Sequence, residues 1–275
     1  MDANSIRSLP ERLGSYAGNR CGELGAWFLD IFLAFPRFVW REMLRPALCQ
    51  RRLQRALADE TRRLFYLQGV APLQTHRSVM VACVTLFALV LGSQAAVYGL
   101  HASVEGIAAK LVVFTLVPGF TAFYVVLGTK VRWYVAMNRA MLRGEQRLWQ
   151  QWETSLWLMQ GVPQIAAAAL SSLNLALLNL IALLFAEPLM GTVQHVLLPN
   201  VPPLNFSHYL TPGLFLLALA KAMVISSGVT AWFAFCVASA EKPDRDLGRI
   251  VGRTTLPFLF AWLVAEAISW WLAQL

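Results

Sequence analysis

Long runs of apolar residues, separated by short polar segments, dominate the sequence. Five runs are long enough to cross a bilayer, because a hydrocarbon core of ~30 Å needs roughly 20 residues of helix. They cover residues 79–100, 107–130, 162–185, 212–240 and 254–275. Since lipid offers no partner to backbone N–H and C=O groups, each run is predicted to be helical. The pattern therefore predicts an all-α, polytopic membrane protein with five transmembrane helices.

Lysine and arginine are confined to alternate connections between these runs. Nine arginines lie from Arg37 to Arg77, before the first run, and further basic clusters follow the second and fourth runs. The connections after the first and third runs, and the residues after Arg253, contain neither Lys nor Arg. Because cytoplasmic loops are enriched in basic residues, the N-terminus is predicted to be cytoplasmic and the C-terminus to lie outside.

A sixth apolar stretch, "GELGAWFLDIFLAFPRFVW" at 22–40, contains Glu23, Asp30 and Pro36. Six of its apolar residues recur at helical spacing, namely Leu24, Trp27, Phe28, Ile31, Phe35 and Phe38. We interpret it as an amphipathic helix that lies in the cytoplasmic interface. A sixth span is the alternative, but it would break the alternation of basic connections.

The chain is accordingly divided into an N-terminal cytoplasmic and interfacial region, 1–78, and a five-helix membrane domain, 79–275. Within the first region, "RRLQRALADETRRLFYLQG" predicts a basic helix, either near anionic headgroups or as a solvated connector. The segment 187–211, with four prolines, predicts a short helix and a loop on the outer face.

The connection after the second span is too polar to cross a membrane and too helix-prone for a loop. It reads "RWYVAMNRAMLRGEQRLWQQWETSLWLMQG" and predicts a cytoplasmic helix at about 133–158. Such a helix could receive force from a motor subunit, or it could simply pack on the surface of the bundle.

Composition agrees with this interpretation and narrows the chemistry. The chain is 57% hydrophobic and only 14% charged, whereas soluble domains are about 25% charged. Its net charge of +8 follows from the basic cytoplasmic connections and does not require a nucleic-acid partner. The four cysteines have no metal-ligand spacing, so neither a metal site nor a disulfide is predicted.

Catalytic signals are weak. No nucleophile-elbow, zinc-protease or phosphate-loop motif is present in the sequence. The pairs His101 with Glu105 and His195 with His208 each lack a third ligand for a metal. We therefore expect no catalytic residue in this chain, with an intramembrane lipid-modifying enzyme as a less supported alternative.

Two ionisable residues lie deep inside the predicted spans. Lys221 and Glu266 are roughly 15 Å and 14 Å from the outer ends of their runs, at 1.5 Å per residue. A charge in a membrane faces the bundle interior or a water-filled cavity. The two side chains are therefore candidates for an intramembrane ion pair, with a snorkelling lysine as the alternative.

Six short motifs, in order along the chain, resemble the MlaE-type (YrbE-like) permease family of MCE-associated ABC transporters. They are "RRLFYLQGVAPL", "LVLGSQAAVYGL" with Gly92 and Gln94, "LVPGFTA" with Pro118, "MLRGEQRL" with Arg143, Glu145 and Gln146, "LAKAMVISSGVTAWF" with Lys221, and "DLGRIVGRTTLPF" with Gly248, Arg249, Arg253 and Thr254. The chain departs from the family where Phe114 and Thr115 replace an Arg-Glu pair and at "GTKVRWYV".

The resemblance implies a permease subunit in a bacterial inner membrane, with its C-terminus in the periplasm, that moves lipid, expected to be phospholipid. It implies four partners: a cytoplasmic ATPase subunit that binds ATP and Mg, a periplasmic MCE-domain protein, a second permease copy or homologous permease, and lipid. No cofactor is expected in this chain.

By the same resemblance, residues Arg143, Glu145 and Gln146 would couple to the ATPase, and the motif at 248–254 would form a cytoplasmic loop. Candidates for the lipid path are Gln94, Phe114, Thr115, Pro118 and Lys221. The departures leave open a second interpretation, in which the chain is a non-transporting subunit that anchors an MCE complex.

Overall fold

A computed structural model describes residues 33–49, 51–73, 76, 78–79, 111–128, 157–197, 199–200, 211–238 and 262–268. Within these ranges 96% of the residues are helical and no strand is formed. The predicted all-α class is therefore confirmed for the part of the chain that the structure describes.

Five helices carry the described architecture, and we number them in chain order. They are α1 (Arg51–Phe65), α2 (Val112–Gly128), α3 (Val162–Leu197), α4 (Pro212–Ala238) and α5 (262–268). Short helical segments at Phe35–Phe38, Val39–Leu44 and Arg45–Cys49 precede α1. Turns of π-helix, which are wider than α-helical turns, lie after α1 at Tyr66–Val70, at the start of α2 at Val112–Leu116 and before α3 at Trp157–Gly161.

Two helices in the described ranges are long and apolar enough to cross a membrane, at Leu158–Phe185 and Pro212–Val237. They correspond to the third and fourth predicted spans. Of the second predicted span, the described residues are helical over Val112–Gly128, which is fewer residues than a full crossing needs. Of the first and fifth predicted spans only Val79 and α5 fall within the described ranges, so five spans remain a prediction.

Small residues bring α3 and α4 together. Each helix buries small side chains four residues apart: Ala168, Ser172 and Ala176 on α3, and Ala218, Ala222 and Ser226 on α4. The Ser226 hydroxyl lies 2.6 Å from the Ser172 hydroxyl and 3.4 Å from the Ala168 carbonyl, to which it can donate. Without bulky side chains between them, two helix backbones can approach closely, which is how membrane helices commonly pack.

Helix α2 packs against α4 through an apolar cluster further along both helices. Ala122 and Val126 of α2 are buried against Ile225 and Val229 of α4. Trp262 and Ala265 of α5 pack against the same cluster. The three helices therefore share one core, and this core fixes the position of α5 relative to α2 and α4.

Helix α3 extends further than the sequence indicated. It continues without interruption past Phe185 and through Pro188 to Leu197. The first part of the predicted outer segment 187–211 is therefore helical, as expected, but it is continuous with the third predicted span instead of forming a separate short helix. A proline removes one backbone donor and disfavours a helix interior, but the good helix formers around it, such as Leu189 and Met190, favour continuation.

The chain is already packed on the helical bundle before the predicted boundary at residue 78. The chain after α1 lies along α3, because Gln68 Nε2 donates to Gln164 Oε1 at 3.0 Å and Asn174 Nδ2 donates to the Gly69 carbonyl at 2.9 Å. A Cβ added at Gly69 would lie 3.0 Å from Ser171 Cα, so glycine permits this close approach. The segment joins the helical bundle by Gln68, ten residues before the predicted boundary.

The predicted interfacial segment differs from the prediction in its length and in which of its side chains pack on the bundle. Residues 33–49 are helical, so the helix runs past the predicted end at residue 40. Phe35 and Phe38, which belong to the apolar face of the predicted interfacial helix, pack on the end of α4. The ring centroids of Phe35 and Trp232 are 5.2 Å apart, and those of Phe38 and Phe235 are 5.5 Å apart. Aromatic pairs at these distances favour edge-to-face packing, so these rings attach the segment to the bundle.

Candidate functional site

The two charges that the sequence places deep in the spans meet in the structure. Lys221 Nζ of α4 lies 2.5 Å from Glu266 Oε1 of α5. The Lys221 side chain is 3% exposed and that of Glu266 is 16% exposed. The pair is therefore largely removed from solvent, and it joins two helices that are distant in sequence.

Helix α2 supplies two more groups to this ion pair. Lys221 Nζ donates to the Phe114 carbonyl at 2.7 Å, and the Thr115 hydroxyl donates to Glu266 Oε2 at 2.9 Å. Both groups belong to the wider turn Val112–Leu116, where the backbone bonds from residue i+5 rather than i+4 to residue i. Such turns are frequent at functional sites, and here the turn presents a carbonyl to the lysine.

Trp262 completes the arrangement from within α5. Its Nε1–H donates to Glu266 Oε1 at 2.8 Å, one helical turn away. The carboxylate thus accepts bonds from Lys221, Thr115 and Trp262. We call the five residues Phe114, Thr115, Lys221, Trp262 and Glu266 the ion-pair cluster. A buried charge needs such partners, because each unmatched ion costs several kcal/mol in a low-dielectric interior.

Gly119 makes room for the tryptophan. A Cβ added at this position of α2 would lie 2.8 Å from Trp262 Cζ2 and 3.0 Å from Cε2. Any larger residue would therefore displace the indole ring from its place over α2. Since the same ring donates to Glu266, Gly119 indirectly positions the acidic member of the ion pair.

A second group of polar side chains is buried nearby. Asn179 Nδ2 of α3 donates to Thr121 Oγ1 of α2 at 3.2 Å and lies 2.8 Å from His76 Nε2. The His76 ring packs on Tyr124, with centroids 4.5 Å apart. All three hydrogen-bonding residues are buried. They link the segment before residue 79 to α2 and α3 at a depth well inside the bundle.

The sequence analysis did not predict this second group, although a signal was present. Four buried polar residues on α3 recur at helical spacing within an apolar helix: Gln164, Ser171, Ser172 and Asn179. Polar residues on one face of a transmembrane helix indicate contact with other helices. The partners could not be found in the same way, since His76 and Thr121 show no periodic pattern of their own.

The structure places the other predicted residues as follows. Phe114, Thr115 and Lys221 come together in the ion-pair cluster, and Pro118 is buried in α2 one turn away. His195 lies exposed on α3, and no group of three or more His, Cys, Asp or Glu that could hold a metal occurs within the described ranges. Outside those ranges lie Gln94, Arg143, Glu145, Gln146, Gly248, Arg249, Arg253 and Thr254, together with most of the predicted cytoplasmic helix 133–158.

Comparison of the chain with protein-family models, with curated proteins and with solved structures finds no match. The function must therefore be argued from the residues and from the geometry described above.

Proposed function

We propose that this chain is the membrane-embedded permease subunit of an MCE-type ABC transporter, moving lipid, expected to be phospholipid, between the inner membrane and the cell envelope. A separate ATPase subunit would bind ATP and Mg and supply the energy, and a periplasmic MCE-domain protein and a second permease would complete the assembly. The six ordered motifs that resemble the MlaE-type family support the proposal.

The observation that carries the membrane part of the proposal is the distribution of polar and apolar side chains. The ion-pair cluster is enclosed by helices, whereas the outward faces of α2, α3 and α4 carry large apolar side chains. Exposed examples are Phe120, Phe123, Leu127, Leu170, Leu177, Phe185, Leu216 and Val224. Charges inside and apolar groups outside are the arrangement that lipid favours.

The proposed topology has five transmembrane helices, a cytoplasmic N-terminus and a periplasmic C-terminus. An enzyme that is active only in the cytoplasm, fused after Leu275, should therefore give no signal, while the same enzyme inserted in the basic connection 242–253 should be active. The positive-inside rule is the physical reason. Full activity of the C-terminal fusion would overturn the orientation.

Coupling to the ATPase is proposed to pass through the cytoplasmic helix 133–158. Glu145→Lys reverses a charge in the motif that resembles the coupling region, and it should weaken ATPase association or lipid-stimulated hydrolysis in the purified complex. Glu187→Lys, which makes the same charge change on α3 in the segment proposed to lie on the outer face, serves as the control. ATP turnover that is equally high in both variants would remove helix 133–158 from the coupling path.

One feature of the site favours the second candidate function, a non-transporting subunit that anchors an MCE complex. The Lys221 ammonium is buried and already engaged by Glu266 and the Phe114 carbonyl. A cation that binds passing headgroups would need access, which this arrangement does not offer. The test measures the rate of ATP hydrolysis by the reconstituted complex with and without added phospholipid. A rate that rises with phospholipid supports the transporter, and a rate that does not change supports the anchor.

A further inference from the structure

Residues 33–48 present a second face, opposite to the aromatic rings that hold this segment on α4. Leu33, Trp40, Leu44 and Leu48 are all exposed, Trp40 by 58% and Leu48 by 67%. Their spacing of seven, four and four residues places them on one side of the helical segment. Four large apolar groups on one side of a short helix are unusual for a water-exposed surface.

A row of arginines borders this apolar strip. Arg37, Arg41 and Arg45 follow one another at intervals of four residues, and all three are exposed. Glu42 is the one acidic residue of 33–49, and its carboxylate lies 3.6 Å from Arg41 Nε. The segment therefore carries three positive charges and one negative charge, a net charge of +2.

The position of the segment brings this face to the edge of the bundle. Phe35 and Phe38 pack on Trp232 and Phe235, which stand near the end of α4. In the proposed topology this end of α4 is cytoplasmic. A membrane surface there offers a boundary between headgroups and acyl chains, where Trp and Leu are favoured below the phosphates and Arg at the level of the phosphates.

We propose that the apolar strip and the arginine row of residues 33–48 dock on the cytoplasmic leaflet and bind the phosphate groups of anionic phospholipids. Arginine is suited to this role because its planar guanidinium binds phosphate through two hydrogen bonds. The inference rests on the membrane topology of the proposed function but not on lipid transport, and it concerns a surface separate from the ion-pair cluster.

The test measures the depth of residue 44 in the full-length protein. The four native cysteines are replaced, Leu44→Cys is spin-labelled, and the protein is reconstituted in phosphatidylcholine vesicles with or without 30% phosphatidylglycerol. Collision with oxygen reports a lipid environment, and collision with a water-soluble nickel complex reports water. We expect the label to favour oxygen in the anionic vesicles, while a label at the exposed Gln54→Cys of α1 favours nickel.

Charge variants separate binding of anionic phosphate from simple burial of apolar side chains. Each arginine near an anionic surface should contribute about fivefold to the docking equilibrium. The triple variant Arg37→Gln, Arg41→Gln, Arg45→Gln should thus lower docking in anionic vesicles by about a hundredfold. The corresponding triple Lys variant keeps the charge but loses the paired hydrogen bonds, so its docking should lie between that of the unmodified protein and that of the Gln variant.

Three outcomes would overturn the proposal. A label at residue 44 that is open to water in both vesicle types shows that the face does not dock on lipid. Equal immersion with and without phosphatidylglycerol shows that anionic phosphate is not recognised. A label that neither reagent reaches shows that protein covers the face. None of these outcomes bears on lipid transport, which the ATPase measurement tests independently.

Discussion

Replacing Lys221 with methionine is expected to destabilise the protein by about 3–5 kcal/mol, because it leaves the buried Glu266 carboxylate without its cation. Methionine has nearly the same length, so packing should be little changed. The Phe114 carbonyl also loses its donor from this side chain. The measurement is the melting temperature of the detergent-solubilised protein, which should fall clearly below that of the unmodified chain.

A double-mutant cycle isolates the ion pair from the other bonds of the cluster. Glu266→Gln removes the charge but keeps oxygen and nitrogen atoms near Thr115 and Trp262, so it is a better partner in the cycle than Glu266→Leu. In the Lys221→Met, Glu266→Gln variant no buried charge is unmatched, and much of the stability should return. If the two single changes simply add, with a coupling energy near zero, Lys221 and Glu266 do not form the pair.

The same variants decide whether Lys221 also serves lipid. A structural ion pair predicts that lipid-stimulated hydrolysis recovers together with stability in the double variant. A lysine on the lipid path predicts that hydrolysis stays low after the fold has been rescued. Lys221 is nearly inaccessible in the structure, so we expect hydrolysis to recover together with stability.

Gly119→Leu is expected to destabilise the protein by about 1–3 kcal/mol or more, the usual effect of overpacking a filled interior. The first added carbon already lies 2.8 Å from Trp262 Cζ2, so the indole must move and its bond to Glu266 is lost. The measurement is again thermal stability, together with Trp262 fluorescence in a variant whose other tryptophans are replaced.

Gly128→Leu is the matched control for this prediction, since it lies on the same helix. A Cβ added there meets no atom within 4 Å, so the substitution should be neutral, or slightly stabilising through better helix propensity. Adding Trp262→Ala to Gly119→Leu should restore part of the stability by opening space. If the Gly119→Leu protein is as stable as the Gly128→Leu protein, the Trp262 indole does not limit the size of the side chain at residue 119.

The sequence alone predicted the helical class, the apolar character of α2, α3 and α4, and Lys221 and Glu266 as the candidates for an ion pair. Periodicity and run length are local properties, and a charge near the middle of an apolar run needs a partner wherever the run is placed. Lys221 and Glu266 are the only two ionisable residues so deep in the predicted spans. Each was therefore predicted as the candidate partner of the other. The placement of helix ends was less accurate, because the third predicted span ends at residue 185 whereas α3 continues to Leu197.

The tertiary structure decided which groups complete the site. That the Phe114 carbonyl, Thr115 and Trp262 surround the ion pair depends on how α2, α4 and α5 cross, and crossing depends on small residues and on Gly119. The same holds for the side of residues 33–49 that is left exposed. An amphipathic pattern shows that one face is apolar, but only packing against α4 shows that Phe35 and Phe38 are covered by protein while Trp40 and Leu44 stay open.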